Sequence, residues 1–452
     1  MDKSRYIVPS MMLLLLSSCG LYSKYERQPL EYSAESLVLS SNNEELTPLA
    51  SMSWRELLTD AHLSVWIDSA LSRNTDLRIA QLKVDEAKAS LTASKLAFLP
   101  SLNLDADART GTASSNTLSI GPSAAWEIDI FGKQRNLKRG AEAAFYASKA
   151  YSQAVQTSLV ASVADGYYTL LMLDEQLQIS ERTLKTWDEN IRTLRALKRA
   201  GRTNEAAVLQ AEANRMKVEN SVLTLRKQIL VQENAIRSLM LNPDMDLTRG
   251  TLSVQQFPNT PSKGVSVELL SNRPDVRQAE YQLQKTFYSV NVARAAFYPS
   301  LTLSGNAGWT TTSGSSVADP SSWVANALGS LTAPIFNRGT NLANLKIANA
   351  ECEIATLEFQ QKLLDAGMEV NNALATWQTA QERLTVDRKQ IETLEAAVRH
   401  TQLLMRNSNT NYLEVLTAQQ RLLDAELTEA NDRYDVIQSI ITLYRALGGG
   451  VQ

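Results

Sequence analysis

The sequence predicts a mainly α-helical chain with a transmembrane β-barrel portion, built from two copies of one unit. Three observations predict it: landmarks that repeat in order, two pairs of segments that alternate apolar and polar residues, and apolar spacings of three and four sustained over most of the rest. NTDLRIA (Asn74 to Ala80) answers RPDVRQA (Arg273 to Ala279), and AFLPSLNL (Ala97 to Leu104) answers AFYPSLTL (Ala296 to Leu303). WEIDIFG (Trp126 to Gly132) answers LTAPIFN (Leu331 to Asn337), and VLQA (Val208 to Ala211) answers VLTA (Val415 to Ala418). The offset drifts only from 199 to 207, so the copies differ by short loop insertions.

The charged start MDKSR, the apolar run Ile7 to Leu16 and the small residues after it read as a signal peptide over residues 1–18. LSSC, ending at Cys19, resembles the bacterial lipobox, in which the cysteine becomes the acylated first residue; the rival is a signal peptide whose cysteine is incidental. Gly20 fits sorting to the outer membrane. Acylation leaves Cys352 without a disulfide partner, and its place in a heptad pattern reads as a small buried hydrophobe. Residues 19–62 form a lipidated extended segment, 63–241 the first repeat, 242–264 a turn-rich connector, 265–448 the second repeat and 449–452 a tail.

Each repeat opens its hairpin after a proline. Beyond Pro100, Leu102, Leu104, Ala106 and Ala108 alternate with Asn103, Asp105, Asp107 and Arg109. After the loop GTASSNT the alternation resumes from Leu118 to Ile130, giving a hairpin at about 101–131, although Pro122 is awkward in a central strand. The second hairpin, about 300–336, alternates Leu301, Leu303, Ala307 and Trp309, then Ala325, Ala327, Leu331, Ala333 and Ile335, with polar residues. Strands of about ten residues with one apolar and one polar face suit an outer-membrane barrel; a buried soluble sandwich is the rival. Phe98, Phe131, Phe297 and Phe336 stand at the helix-bearing ends, as an interfacial girdle requires, with Trp309 and Trp323 flanking the far loop. The polar faces offer Asp105, Asp107, Arg109, Glu127 and Asp129 to a hydrated lumen.

The helices keep a 3.5-residue period, the mark of coiled-coil packing. One seam runs Leu170, Leu173, Leu177, Ser180, Leu184, Trp187, Ile191 and Leu194; its counterpart runs from Phe359 through Asp387 to Met405. The chain turns at AGRTN (Ala200 to Asn204) and NSNTN (Asn407 to Asn411), and a second helix returns from each turn. The first return helix carries Val208, Ala211, Val218 and Val222 and, in parallel, Leu209, Met216, Leu223 and Leu230. Two seams demand two neighbours. The second return helix runs Leu413, Leu416, Leu423, Leu427, Ala430, Tyr434, Ile437, Ile441 and Tyr444. If Lys133 to Arg199 is one helix, its length is about 100 Å, several bilayer thicknesses.

Other classes fall away. A net charge of -3 lacks the electrostatic footprint of a nucleic-acid binder, and two histidines with two cysteines cannot assemble a metal site of useful spacing. Glu127 and Asp129 lie two apart, but Asp105 and Asp107 beside them make a lumen lining the better reading than acid–base catalysis. ALGGG (Ala446 to Gly450) is a helix stop, not a phosphate loop. His400, near a helix end, suits the terminus. No nucleophile constellation and no cofactor motif is present, so the chain is not read as an enzyme.

Four strands cannot close a membrane barrel, so the chain must oligomerise. Two copies give about eight strands and a barrel filled by side chains; three give about twelve and a lumen. WEIDIFGKQRN, RPDVRQAEYQL, ARAAFYPSLTLSGNAG and TNYLEVLTAQQ resemble signature segments of the outer membrane factors of tripartite efflux systems, the lipoprotein branch related to OprM, NodT and CusC and more distantly to TolC. The resemblance covers nearly all of the mature chain. It implies a TolC-like homotrimer: an α-helical coiled-coil tube in the periplasm continued into a twelve-stranded outer-membrane barrel, in contact with outer-membrane lipid. It also implies partners, a periplasmic adaptor (membrane fusion) protein and an inner-membrane pump that supplies the energy.

The resemblance further implies that the turns, Gly201, Arg202, Thr203 and Asn204 and then Ser408, Asn409, Thr410 and Asn411, are the periplasmic tips where the adaptor docks. Leu413 matches the family's constricting leucine. Thr417 and Gln420 occupy the places of an aspartate and an arginine that hold the tip closed, so a charged gate is not carried over; either Arg421 or Glu414 is left to replace the charges. The implied cargo is small molecules or metal ions. The alternatives are a TolC-like channel for type I protein secretion, and a pore-less structural coiled-coil lipoprotein that leaves the hairpins unexplained.

Overall fold

A computed structural model describes residues 24–27, 52–111, 114–255, 257, 270–312, 323–406 and 412–449. Its elements run α1 (Trp54–Leu57), α2 (Ala61–Arg73), α3 (Thr75–Leu96), β1 (Ser101–Gly111), β2 (Ser114–Ile128), α4 (Lys133–Arg199), α5 (Glu205–Leu239), a 3-10 turn (Leu252–Val254), α6 (Pro274–Ala295), β3 (Ser300–Thr312), β4 (Trp323–Thr332), α7 (Thr340–Arg406) and α8 (Tyr412–Ala446). The series 22-residue helix, hairpin, 67-residue helix, 35-residue helix occurs in both halves. The expected continuous helix from Lys133 to Arg199 is present as one element.

Local chemistry sets the boundaries. Asp60 caps α2 by accepting from the His62 amide at 2.8 Å, and Asn74 caps α3 through the Leu77 amide at 3.0 Å while donating to the Leu239 carbonyl at the end of α5. Asn204 opens α5 by accepting from Ala207. Before it, Gly201 takes φ 71°, a left-handed conformation that costs glycine little, and the Arg202 amide closes back on the Leu197 carbonyl at 2.9 Å. The AGRTN turn is therefore a helix stop followed by a helix start. Helix α1 lies inside the segment expected to be extended, because the Ser53 amide finds the Glu56 carboxylate at 2.8 Å and starts a turn.

The chain divides into two compact units. The first comprises Gln81–Tyr151 and Arg277–Lys362 with residues 24–27. It holds one antiparallel sheet in the order β1-β2-β3-β4, so the two hairpins join through β2 and β3 and leave β1 and β4 as edges. Strand β2 begins at Ser114, so the loop expected over GTASSNT is mostly strand. Strand β4 ends at Thr332, leaving Ala333 and Ile335 beyond the ladder. Pro122 is accommodated between β1 and β3. The β2–β3 ladder is bridged at Ile120 with Trp309 and at Ser123 with Asn306, and is interrupted between them, where proline has no N–H to give. Gly121 and Gly308 face each other there; a Cβ on Gly121 falls 2.0 Å from the Ala307 carbonyl oxygen, so only glycine fits.

The second unit comprises Ser152–Val276 and Leu363–Gln452 with the described part of Tyr32–Ala80. Its core follows the heptads. Ile179, Trp187, Ile191 and Leu194 of α4, Ala207, Val208, Ala211 and Val218 of α5, and Leu416, Leu423 and Ala430 of α8 form one buried cluster. Trp66 packs edge-on against Tyr167 at 4.9 Å, and the Tyr167 hydroxyl donates to Asp60 at 2.7 Å, tying α2 to α4. Burial pushes the Tyr167 hydroxyl well above its ordinary range, so it stays a donor.

Candidate functional site

The sheet sorts its residues by face. Leu102 stands opposite Ala124, Ala106 opposite Ile120 and Leu104 opposite Pro122, and the apolar register continues through Ile120 with Trp309, Trp126 with Leu303, Ile128 with Leu301, Leu301 with Leu331 and Trp309 with Trp323. The other face pairs Asp107 with Ser119, Glu127 with Thr302, Thr302 with Ser330 and Asn306 with Asn326. Among the described residues nothing covers the apolar face: Leu102 and Leu104 are 77% and 74% exposed, and Trp126, Leu303, Trp309, Trp323 and Leu331 are also exposed. A contiguous apolar face of this kind seeks lipid or protein. Among the described residues no helix is long and apolar enough to cross a membrane.

The predicted girdle lies at the junctions of strand and helix. Phe98 is half-buried and its carbonyl accepts from the Trp126 indole at 2.9 Å. Phe131 stacks on Tyr298 with ring centroids 5.1 Å apart, bringing the end of the first hairpin to the start of the second. Phe297 and Phe336 are exposed. Tyr298 and Trp126 extend the aromatic set beyond the four phenylalanines, and for Trp126 the strand alternation was the signal.

The acidic set divides. Asp105 and Asp107 lie exposed on the polar face of β1, with Arg109 following in the same register opposite Thr117. Glu127 lies on that face and takes Lys133 at 3.0 Å. Asp129 does not belong with them. It lies past the end of β2, its side chain is 8% exposed, and it accepts from the Gln134 and Arg135 amides at 2.9 and 3.0 Å and from Arg135 Nε at 3.0 Å. A carboxylate at a helix N-terminus satisfies orphan amides and complements the dipole, so Asp129 anchors α4 to the sheet.

At the other end of the helices, Gly201, Arg202 and Asn204 are exposed and Thr203 half-buried. Ser408, Asn409, Thr410 and Asn411, like Cys19, lie outside the described residues. Leu413 leaves the seam assigned to it: it is 52% exposed while Leu416 and Leu423 are buried. Leu413, Thr417, Gln420 and Asp424 succeed one another at spacings of four, three and four on the same side of α8, and Gln420 donates to Asp424 at 2.9 Å. Asp424 thus adds a negative charge to the stripe, which motif matching alone does not reveal. Arg421 is exposed beside it.

Both seams of α5 are present, and among the described residues only one is buried. Val208, Ala211, Val218 and Val222 are buried, whereas Leu209, Met216, Leu223 and Leu230 are 55%, 59%, 59% and 56% exposed at spacings of seven. Helix α7 shows a second such row in Ile347, Ile354 and Met368. Cys352 is half-buried, contrary to the buried hydrophobe expected of its heptad position.

The repeated RPDVRQA motif has a function in packing. Arg273, only 7% exposed, donates to the Ala446 carbonyl at 2.8 Å, to Asp275 at 3.1 and 3.0 Å and to Glu369 at 2.8 Å. Arg445 reaches the other oxygen of Glu369 at 2.6 Å. Burial opposes ionisation of Glu369, but the two guanidinium groups prevail and hold its carboxyl below the ordinary range. The cluster ties the end of α8 to α7 and to the start of α6.

The chain matches known proteins along nearly its whole length. The cation efflux system protein CusC of Escherichia coli strain K12 is 29% identical over 98% of this chain and 99% of its own. The CusC crystal structure superposes with a TM-score of 0.87 at 27% identity, covering 96% of this chain and all of that one. The probable outer membrane lipoprotein SilC of Salmonella typhimurium is 28% identical over all of this chain and 99% of its own. The open state of the Neisseria gonorrhoeae MtrE outer membrane channel gives a TM-score of 0.87 at 27% identity, over 95% of this chain and 98% of that one. The model of the outer membrane efflux protein family matches residues 66–240 and 265–449. This chain belongs to the outer membrane efflux protein family and is a transport component of the outer membrane.

Proposed function

We propose that three copies of this chain close a twelve-stranded barrel in the outer membrane, continued by a helical tube in the periplasm, through which small molecules or metal ions pass without any reaction. The observation that carries this reading is the four-stranded sheet with one exposed apolar face and edges at β1 and β4. In lipid an open edge leaves backbone groups unsatisfied, so other copies must supply the missing strands. Four strands per chain reach a lumen-forming barrel at three copies, whereas two make one packed solid with side chains. Each chain contributes a duplicated helix-hairpin-helix unit. The polar face with Asp105, Asp107, Arg109 and Glu127 lines the lumen, and Phe98, Phe131, Phe297 and Phe336 meet the lipid interface.

Acylation of Cys19 anchors the N-terminus, a reading supported by the lipobox and by the lipoprotein relative SilC. The exposed stripe from Leu413 through Thr417 and Gln420 narrows the tube at its periplasmic end. The turns at residues 201–204 and 408–411 meet a periplasmic adaptor, which joins the tube to an inner-membrane pump. CusC is named for cation efflux, which favours metal ions as one cargo class here. Native mass spectrometry of the detergent-extracted full chain tests the assembly: three copies are expected, and a monomer or dimer as the sole species overturns the proposal. The same spectrum reads the added mass of acyl chains on a first residue at Cys19.

A further inference from the structure

The long helices of the two halves match at one offset. Lys133 to Thr340 and Arg199 to Arg406 differ by 207, as do Glu205 to Tyr412 and Leu239 to Ala446. Ser180 on α4 therefore corresponds to Asp387 on α7, and Leu225 on α5 to Asp432 on α8. All four positions are buried, with Asp387 8% and Asp432 0% exposed. Where the first half places a hydroxyl and a leucine, the second places two carboxyl groups.

As carboxylates the two side chains are acceptors only. Asp387 Oδ2 and Asp432 Oδ2 find no hydrogen-bond donor among the described residues. Arg383 brings Nη2 to 2.6 Å from Asp432 Oδ1, but it is one charge for two carboxylates and is itself half exposed. Asp435, also on α8, adds a further negative charge. On α4, Glu175 and Arg182 line a cavity with Arg388, Glu426, Glu429 and Arg433, and Glu181 is engaged by Arg226 at 2.8 Å. There Arg182 is engaged by Glu426 at 2.7 Å and Arg433 by Glu429, so these cations are already matched. A proton on Asp432, donated to Asp387, replaces two facing acceptors by an O–H···O bond and removes one buried charge. Burial first, and then the hydrogen bond with Asp387, push the Asp432 carboxyl up to about 6, against the opposing charge of Arg383.

We propose that Asp432 keeps a proton and donates it to Asp387 across the α7–α8 seam, holding the seam closed, and that its loss loosens this helical hairpin but not the matching α4–α5 hairpin. The sign follows from linkage. The folded seam binds its proton more tightly than the unfolded chain does, so the stabilisation is full below the ordinary carboxylate range and is lost as pH rises through about 6. The hairpin is thus a device by which the acidity of its surroundings sets the stiffness of one half of the tube.

Amide hydrogen exchange on the full-length detergent-solubilised protein, corrected for intrinsic exchange rates, reads this directly. Between pH about 5 and about 7.5, protection around residues 380–391 and 428–436 should fall by about tenfold or more, as a shift of more than one pKa unit allows. Protection around 173–184 and 221–229 should hold. Asp387→Ser with Asp432→Leu copies the pair that the first half already folds with, and should abolish the pH response. Asp432→Asn keeps a donor for Asp387 without a titrating proton and should also abolish it; this variant decides the matter if the double variant does not fold. Equal protection of the wild type at both pH values, or a full wild-type response in Asp432→Asn, overturns the proposal.

Discussion

The unused seam of α5 gives the sharpest quantitative expectation. Leu209, Met216, Leu223 and Leu230 are between 55% and 59% exposed in the single chain. Fully burying a leucine or methionine is worth about 1.5–3 kcal/mol, so covering the remaining half yields about 1 kcal/mol each and about 4 kcal/mol per seam. In the proposed trimer, three equivalent interfaces bring the total to about 12 kcal/mol. Replacing Met216 and Leu223 by glutamate removes about half of that and adds six carboxylates that burial would desolvate, a cost of several kcal/mol more. The double variant should therefore appear as monomer in native mass spectrometry under conditions where the wild type is trimeric. Its helicity by circular dichroism should be unchanged, because the inward seam of Val208, Ala211 and Val218 is untouched. A variant as trimeric as the wild type, dissociating at the same detergent concentration and temperature, would refute the assignment of this seam to a neighbouring copy.

Three further outcomes follow from particular contacts. Gly121→Ala and Gly308→Ala each drive a methyl group into the facing backbone of the β2–β3 junction, so both should fail to give a heat-resistant assembly on gels run without boiling, whereas Gly329→Ala, with only a side-chain contact at 3.5 Å, should assemble normally. Arg273→Met leaves Glu369 with Arg445 as its cation and the Ala446 carbonyl without its donor; breaking such a buried cluster should cost about 3–5 kcal/mol, seen as a lowered midpoint in thermal unfolding. Leu413→Ser should raise the open-channel conductance of the assembly, and Gln420→Ala, which frees Asp424, should strengthen its preference for cations; if neither changes conductance or ion selectivity, the constriction is not on this stripe of α8.

Periodicity made most of the architecture legible, because a helix that packs along its length repeats its apolar residues every three and four positions and a two-faced strand every two. The bounds of α4 could be read directly, since no proline or glycine cluster interrupts the pattern between Lys133 and Arg199. The places that resisted are those where tertiary context decides. Pro122 reads as a strand breaker until its glycine neighbour is seen to meet Gly308 across the ladder. Asp129 continues the strand alternation in the sequence, yet the Gln134 and Arg135 amides at the start of α4 capture it, and the periodic signal cannot distinguish a cap from the next strand residue. Leu413 fits the heptad by spacing, but at the first turn of α8 it stays 52% exposed. Two partners of Arg273, Glu369 and Ala446, are separated from it by 96 and 173 residues, a distance no local pattern spans.

Single-channel recording in a planar bilayer bears most directly on the central claim, that three sheets of this chain close around a water-filled passage. Purified, reconstituted protein should insert in discrete steps of equal size, with each step carrying a steady current through a lumen lined by Asp105, Asp107 and Glu127, and neutralising these residues should weaken its cation preference. A bilayer that shows no conductance steps at any voltage, although the protein is inserted and folded, would contradict the account.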